Sequence, residues 1–153
     1  MMEIFDVRSR PEIVEEAIQY FWTQWGSESN YNFYKDCIKQ SCHTDSDVPR
    51  FYLALENNKI IGSYAILRSD LNSRQDLCPW FACLYVDPEA RGRKIGELLQ
   101  THAIKECKVK GYSSVYLCTD LTGYYERTQW KYIGKGYSLN DDETRIYEYR
   151  IDD

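Results

Sequence analysis

Two hydrophobic periodicities alternate along the chain. Apolar residues recur with helical spacing in residues 11–26, 31–42 and 94–111, and residues 121–128 are predicted to form a shorter helix. Strand-forming residues are concentrated in seven other segments: 3–7, 51–55, 59–67, 80–86, 113–118, 130–137 and 145–151. The resulting order, β-α-α-β-β-β-α-β-α-β-β, predicts a mixed α/β fold with a mostly antiparallel central sheet flanked by helices.

Two local patterns define the middle of this fold more closely. Asn57 and Asn58 separate two strand segments, and asparagine tolerates the positive φ that a two-residue hairpin turn requires. Residues 80–86 are apolar at every position, which predicts a strand buried on both faces, as in the centre of a sheet. Asp87 and Pro88 end that strand.

Composition and charge narrow the function. The 153 residues suit a single domain, 1–153, with one hydrophobic core. A formal net charge of −5 argues against nucleic-acid binding and favours cationic or neutral small molecules. The longest apolar run, 79–86, is too short to span a bilayer, and the N-terminal residues resemble no secretory signal. We therefore expect a cytoplasmic protein.

Six cysteines need a separate interpretation. Without an export signal, disulfides are not expected, and the cysteines are predicted to be small buried hydrophobic residues. The spacings of Cys37 with Cys42 and of Cys78 with Cys83 match metal sites only loosely, so zinc is the lesser alternative and no metal is expected.

Residues 84–96 carry the most informative chemical pattern. A buried strand ends, and a basic loop containing glycine leads directly into a helix. Backbone N–H groups and the positive end of the helix dipole would then point to one place, which is typical of an anion site. Arg91, Arg93 and Lys94 add positive charge. Neither a nucleotide-binding P-loop nor a dinucleotide fingerprint is present, so the alternatives are another anion or simply solvated charges.

The same run resembles the acyl-CoA-binding motif of the GNAT superfamily of N-acetyltransferases, V-x-P-x-x-R-G-x-G-I-G. A second segment, 123–130 (G-Y-Y-E-R-T-Q-W), resembles the F-Y-E-K-x-G-F/W segment of that family. One helix and one strand separate the two segments, as in the family, and the N-terminal helices and the hairpin follow the family's order. The resemblance covers essentially the whole chain and implies a GNAT-like acyl-CoA N-acyltransferase fold.

The resemblance also implies roles for particular residues. It implies that Tyr125 protonates the departing thiolate of CoA, a role that a positioned phenol can fill. It implies that acetyl-CoA, the acyl-donor cosubstrate, binds to the central strand and the loop, through Leu84, Tyr85, Val86, Arg91, Gly92, Arg93, Lys94, Ile95 and Gly96.

Two positions depart from the family pattern, because Lys94 and Gln129 stand where the family has glycine. If Lys94 has helical dihedral angles, its N–H and its charge can both serve an anion. If the position requires positive φ, the lysine is strained by about 1 kcal/mol. Gln129 precedes Trp130 and so affects the turn that places Tyr125.

The acceptor amine must lose its proton before it attacks the thioester, because an alkylamine has a pKa of about 10.4. Asp120 and Asp76, which lie at strand ends, are candidate bases, and water is the alternative. Asp76, Trp80 and Trp22 are candidates for binding a cationic acceptor.

The sequence therefore predicts an enzyme that moves an acetyl group from acetyl-CoA to a primary amine by direct attack in a ternary complex. The acceptor is an unidentified small molecule, and its charge is expected to be positive. The alternative is a non-catalytic CoA-binding or sensor module of the same fold. The antiparallel C-terminal strands also offer an edge through which a homodimer can form.

Overall fold

A computed structural model describes residues 1–151, so positions 152 and 153 of the predicted domain lie outside the described residues. Three α-helices are present: α1 (Val14–Trp25), α2 (Tyr31–Ser41) and α3 (Ile95–Val109). The strands are β1 (Met2–Asp6), β2 (Arg50–Glu56), β3 (Lys59–Leu67), β4 (Trp80–Val86), β5 (Ser114–Thr119), β6 (Lys131–Tyr137) and β7 (Glu143–Arg150). Short 3-10 helices occupy Val7–Ser9, Pro11–Ile13, Pro88–Ala90 and Tyr125–Thr128.

Hydrogen bonding joins the strands in the order β1-β2-β3-β4-β5-β7-β6. The pair β4–β5 is parallel, whereas β1–β2, β5–β7 and β6–β7 are antiparallel. The predicted mixed α/β fold, with a mostly antiparallel sheet and helices, is thereby confirmed. None of the helices within residues 1–151 combines the length and apolar character that crossing a membrane requires.

The described chain forms two compact units, and the first comprises residues 1–65 and 83–100. Its β2–β3 hairpin turns at Asn57 and Asn58, whose φ values of 52° and 65° confirm the predicted two-residue turn. Helix α1 buries an apolar face that includes Phe21, and this ring meets Phe51 of β2 edge to face at 5.1 Å. This packing anchors α1 and, next to it, α2.

The second unit comprises residues 66–82 and 101–153. Strand β7 lies between β5 and β6, and all three follow antiparallel registers. The core of this unit is aromatic: Trp80 is fully buried, and the ring centroids of Phe81 and Trp130 lie 5.9 Å apart. The indole N–H of Trp80 donates to the carbonyl of Leu77 at 2.7 Å, so its one polar atom is satisfied.

Two sequence predictions need correction. Strand β4 is buried only in its first three residues, and residues 83–86 are half-buried, so the fully apolar run did not mean burial throughout. The helix predicted over residues 121–128 is only the 3-10 turn Tyr125–Thr128. Gly123 has a φ of 81°, which no α-helix accommodates, so a helix cannot run continuously from residue 121 to residue 128.

Candidate active site

The loop between β4 and α3, residues 91–94, lies in the first unit and is exposed. Strand β4 ends at Val86. The N–H of the next residue, Asp87, donates to the carbonyl of Ile61 at 2.8 Å, and one 3-10 turn follows. Gly92 and Lys94 then have positive φ, at 83° and 60°. Two left-handed residues so close together bend the chain sharply before α3 starts at Ile95.

The positive φ decides between the two alternatives for Lys94. The lysine is strained, by about 1 kcal/mol. Its carbonyl nevertheless accepts the N–H of Leu98 at 3.1 Å, so it serves as the residue from which the helix starts. The amides of residues 95–97 precede this bond and have no acceptor within the helix. They give the loop the donor groups and the dipole that suit an anion.

The three cations of the loop differ in their contacts. The Nε of Arg91 donates to the carbonyl of Val86 at 2.9 Å, and its guanidinium lies 5.4 Å from the centroid of the Tyr85 ring. Arg93 donates two hydrogen bonds to the carboxylate of Glu56, at 3.0 and 2.7 Å. Within the described chain, Lys94 forms no salt bridge, and its side chain is exposed. An anion that binds here therefore competes with Glu56 for Arg93.

The remaining predicted donor-binding residues flank this loop in the same unit. Residues 84–86 are half-buried on β4, and the Tyr85 ring meets Tyr20 of α1 at 6.1 Å. Ile95 is buried, so its backbone alone remains for a ligand, and Gly96 is partly exposed. A Cβ on Gly62 would stand 2.9 Å from the Tyr85 carbonyl oxygen, so β3 approaches β4 closely here.

The Tyr20 hydroxyl was not singled out by the sequence, although it contacts the end of β4. It donates to Asp87 at 2.7 Å, and burial together with that carboxylate raises the pKa of Tyr20. An open groove of about 460 Å³ runs along α1 beside it; its lining is Glu15, Glu16, Gln19, Tyr20, Thr23, Gln24 and Ile60. None of the residues predicted from the sequence lines this groove.

Tyr125 lies in the second unit, at the start of the last 3-10 turn. Its carbonyl accepts the N–H of Trp130 at 3.2 Å, and Gln129 closes the turn with φ 76° and ψ 14°. The left-handed conformation expected of a glycine is therefore kept with glutamine in that position. The turn that carries Tyr125 retains its shape at the cost of local strain.

Aromatic rings and hydrogen bonds support this turn. The Tyr125 ring lies 6.1 Å from Trp130 and 6.3 Å from Tyr147, and the Tyr147 hydroxyl donates to Glu126 at 2.7 Å. Burial, and then the neighbouring Tyr124 and Cys118, raise the pKa of the Tyr125 phenol. The phenol is protonated at neutral pH, as an ordinary tyrosine is, and its raised pKa makes it a weaker acid.

The predicted bases and acceptor residues have very different surroundings. Asp76 is exposed and accepts two bonds from Arg74, at 3.0 and 2.9 Å, which hold its pKa below the usual range and weaken it as a base. Asp120 is exposed directly after β5. Trp80 faces the core of its unit, where no acceptor reaches it. Trp22 is half-buried in the first unit, with its ring 5.2 Å from Tyr31.

One carboxylate that the sequence analysis did not select differs from both predicted bases. Asp70 is half-buried in the loop after β3, and its Oδ2 accepts the Cys118 thiol at 3.2 Å. Burial raises the pKa of Asp70 to about 6, and the hydrogen bond from Cys118 opposes this rise. Burial and the neighbouring carboxylate also raise the pKa of Cys118, to about 12.

The cysteines only partly fit the expectation of burial. All six are free thiols, but Cys107 is the one that is fully buried, and the others are partly exposed. The structure gathers no group of three or more metal-ligating side chains anywhere in residues 1–151.

The basic loop between β4 and α3 has the geometry of an anion site, as the resemblance to acyl-CoA N-acyltransferases implied. The chain belongs to the GNAT acetyltransferases, since the model of the acetyltransferase (GNAT) family matches residues 10–129. It is an acetyltransferase. A comparison with curated proteins returned no match.

Several solved structures have a similar fold. One is an aminoglycoside 6'-N-acetyltransferase complexed with coenzyme A, with 15% identity, a TM-score of 0.73 and coverage of 100% of this chain and 98% of that one. The aminoglycoside 6'-N-acetyltransferase from Enterococcus faecium has 16% identity, a TM-score of 0.73 and the same coverage. An acetyltransferase from Streptococcus agalactiae has 23% identity and a TM-score of 0.66, with 97% of this chain and 98% of that one covered.

The strain at Gln129 gives a first testable prediction. Gln129→Gly should stabilise the protein by about 0.5–1 kcal/mol, because relief of the left-handed strain exceeds the extra entropy of glycine in the unfolded chain. Gln129→Ala removes the same amide side chain but keeps the Cβ, so it should give no gain. Urea unfolding of both variants measures the difference, and equal stabilities would show that the Cβ is not strained.

Proposed function

We propose that residues 1–153 act as one N-acetyltransferase domain that uses acetyl-CoA as its acyl donor. The loop after β4 carries this proposal, because two left-handed residues present helix N-terminal amides and three cations at one exposed place in an otherwise acidic chain. The pyrophosphate of CoA is an anion of the kind such a loop binds. The partly exposed Gly96 belongs to the same pyrophosphate site, and the half-buried residues 84–86 would contact the rest of the donor.

In this proposal the acceptor amine attacks the thioester carbonyl directly, and the C–S bond breaks as CoA leaves as a thiolate. Tyr125 supplies the proton that the thiolate takes up. Its placement supports that role, because the rings of Trp130 and Tyr147 pack near it and the phenol carries its proton at the pH of the reaction. Family membership also supports it, since residues 124–130 resemble the family's tyrosine segment, with conservative changes at Tyr124 and Arg127 and glutamine for glycine at position 129.

We further propose that the acceptor is a small cationic molecule with a primary amine. The net charge of −5 supports this class, and so does the similarity in fold to aminoglycoside acetyltransferases. Trp22 remains a candidate for contact with the acceptor, because its ring is partly exposed. The alternative function, a CoA-binding module without turnover, depended on Gln129 changing the turn that carries Tyr125, and that turn keeps its left-handed shape with glutamine in place.

Thermal unfolding with and without acetyl-CoA tests the proposal. Ligand at about 100 times its Kd should add about 2.7 kcal/mol, a rise in Tm of roughly 5–10 °C. Glu56→Gln should tighten binding about two- to fivefold, because it frees Arg93 and removes a carboxylate that competes with phosphate. Glu3→Gln, which breaks the exposed ion pair with Arg10, is the matched control and should leave affinity unchanged.

No rise in Tm at millimolar acetyl-CoA would overturn the proposal. A rise without acetylation of spermidine, kanamycin or a peptide with a free α-amino group would favour the binding module instead.

A further inference from the structure

The loop that joins β3 to β4, residues 68–79, is ordered although it contains no helix or strand. Its own groups bond to one another: Gln75 donates to the carbonyl of Asn72 at 2.6 Å, and the N–H of Arg74 donates to the Asn72 side chain at 2.9 Å. The N–H of Ser73 donates to the carbonyl of Tyr137 at 2.8 Å, which ties the loop to β6. These hydrogen bonds hold the loop against β6 within the second unit.

This loop holds one carboxylate without a cation. Asp70 takes part in no salt bridge within the described chain, and the Cys118 thiol is its one hydrogen-bond partner there. The other carboxylate of the loop, Asp76, is by contrast neutralised by Arg74. A half-buried carboxylate without a countercharge is costly, and such groups are concentrated at functional sites.

The groups that face this pair come from three elements of the second unit. Cys118 lies on β5, and Asn72 of the loop and Thr144 of β7 are close enough to lower the pKa of its thiol, against the larger rise that burial and Asp70 cause. Cys118 lies close enough to the Tyr125 turn to raise the pKa of that phenol. The carboxylate–thiol pair and the proposed general acid therefore belong to the same unit. None of the groups named here is a cation.

We propose that Asp70 is the base that accepts a proton from the ammonium group of the acceptor, with the Cys118 thiol orienting its carboxylate. This inference rests on the proposed function. The unpaired carboxylate attracts the acceptor cation and takes one proton from it. The neutral amine attacks the thioester carbonyl, the C–S bond breaks, and the second amine proton goes to the thiolate through Tyr125. Asp70 then releases its proton to water, so the products are the amide, free CoA and one proton.

The test compares wild-type protein with Asp70→Asn on spermidine, kanamycin and a peptide with a free α-amino group. The variant should lower kcat/KM by 100-fold or more and leave the acetyl-CoA affinity unchanged. The asparagine side chain retains an oxygen that accepts the Cys118 thiol, so the fold should be preserved. Asp141→Asn is the matched control, because Asp141 is exposed in the β6–β7 turn and asparagine tolerates its φ of 68°.

A pH profile separates a catalytic role from a structural one. In the wild type, kcat/KM should fall below about pH 6, where Asp70 becomes protonated. Cys118→Ala should move this acid limb to higher pH, because the thiol's hydrogen bond lowers the pKa of Asp70. Turnover by Asp70→Asn within threefold of the wild type, or an unmoved acid limb, would overturn the inference and leave the acetyltransferase proposal intact. Absence of wild-type turnover on every probe would overturn both.

Discussion

Tyr125→Phe should lower kcat about 100-fold and leave the affinity for acetyl-CoA unchanged. The substitution removes the proton donor but keeps the ring that packs near Trp130 and Tyr147. General acids contribute about 10²–10⁴ to rates, so the lower end of that range is expected where water partly replaces the phenol. Steady-state kinetics with varied acetyl-CoA separates kcat from KM.

Tyr124→Phe is the matched control for this prediction. Tyr124 is the adjacent residue, its ring meets Tyr125 edge to face at 4.8 Å, and Arg127 lies over it. Loss of its hydroxyl should change kcat less than threefold. Because the pKa of Tyr125 is raised, the wild-type rate should show no alkaline limb from this phenol below pH 10. A Tyr125→Phe enzyme with more than a third of the wild-type kcat would show that another group protonates the thiolate.

Asp70→Asn should stabilise the protein at pH 8 by about 3 kcal/mol, a rise in Tm of about 6–12 °C. The pKa of Asp70 is raised from its ordinary value of 3.8 to about 6, so the folded state binds this proton more tightly than the unfolded state. Above pH 6 the ionised carboxylate therefore lowers the free energy of unfolding by its full amount. This destabilisation decreases as the pH falls from 6 towards 4, and it is absent below both the folded-state pKa of about 6 and the ordinary pKa of 3.8.

Urea unfolding at pH 8 and at pH 4 measures this effect. The stabilisation by Asp70→Asn should nearly disappear at pH 4, because the wild-type Asp70 carboxyl is then protonated and neutral, like the asparagine side chain. Asp141→Asn should have little effect at either pH, because its carboxylate is exposed. Equal stabilisation at both pH values would show that charge burial is not the cause. A gain in stability together with a loss of activity is the usual relationship at a strained functional site.

The sequence predicted best those features that depend on neighbouring residues. The hairpin turn at Asn57 and Asn58 and the loop around Gly92 follow from the dihedral preferences of a few adjacent positions. The succession of strands and helices follows from hydrophobic periodicity. The length of the helix predicted over residues 121–128 was wrong, because Gly123 has a positive φ that interrupts the helical conformation.

The site residues that sequence analysis missed are defined by distant contacts. Glu56 is 37 residues from Arg93, and Asp70 is 48 residues from Cys118, so no local pattern links either pair. Asp70 and Asp76 also look alike in the sequence, since both are aspartates in the same polar loop. Only the fold distinguishes the unpaired carboxylate from the one that Arg74 neutralises.

The attachment of the 68–79 loop to β6 bears on how copies of this chain can associate. Backbone and side-chain groups of Ser73 bond to the N–H and carbonyl of Tyr137, and Asn72 forms an isolated bridge with Ser138. The end of β6 is therefore already saturated by its own chain. A neighbouring molecule that extended the sheet would have only the first part of β6, which an irregularity between Tyr132 and Gly134 interrupts. The loop thus protects β6 against strand addition and, with it, against edge-to-edge aggregation.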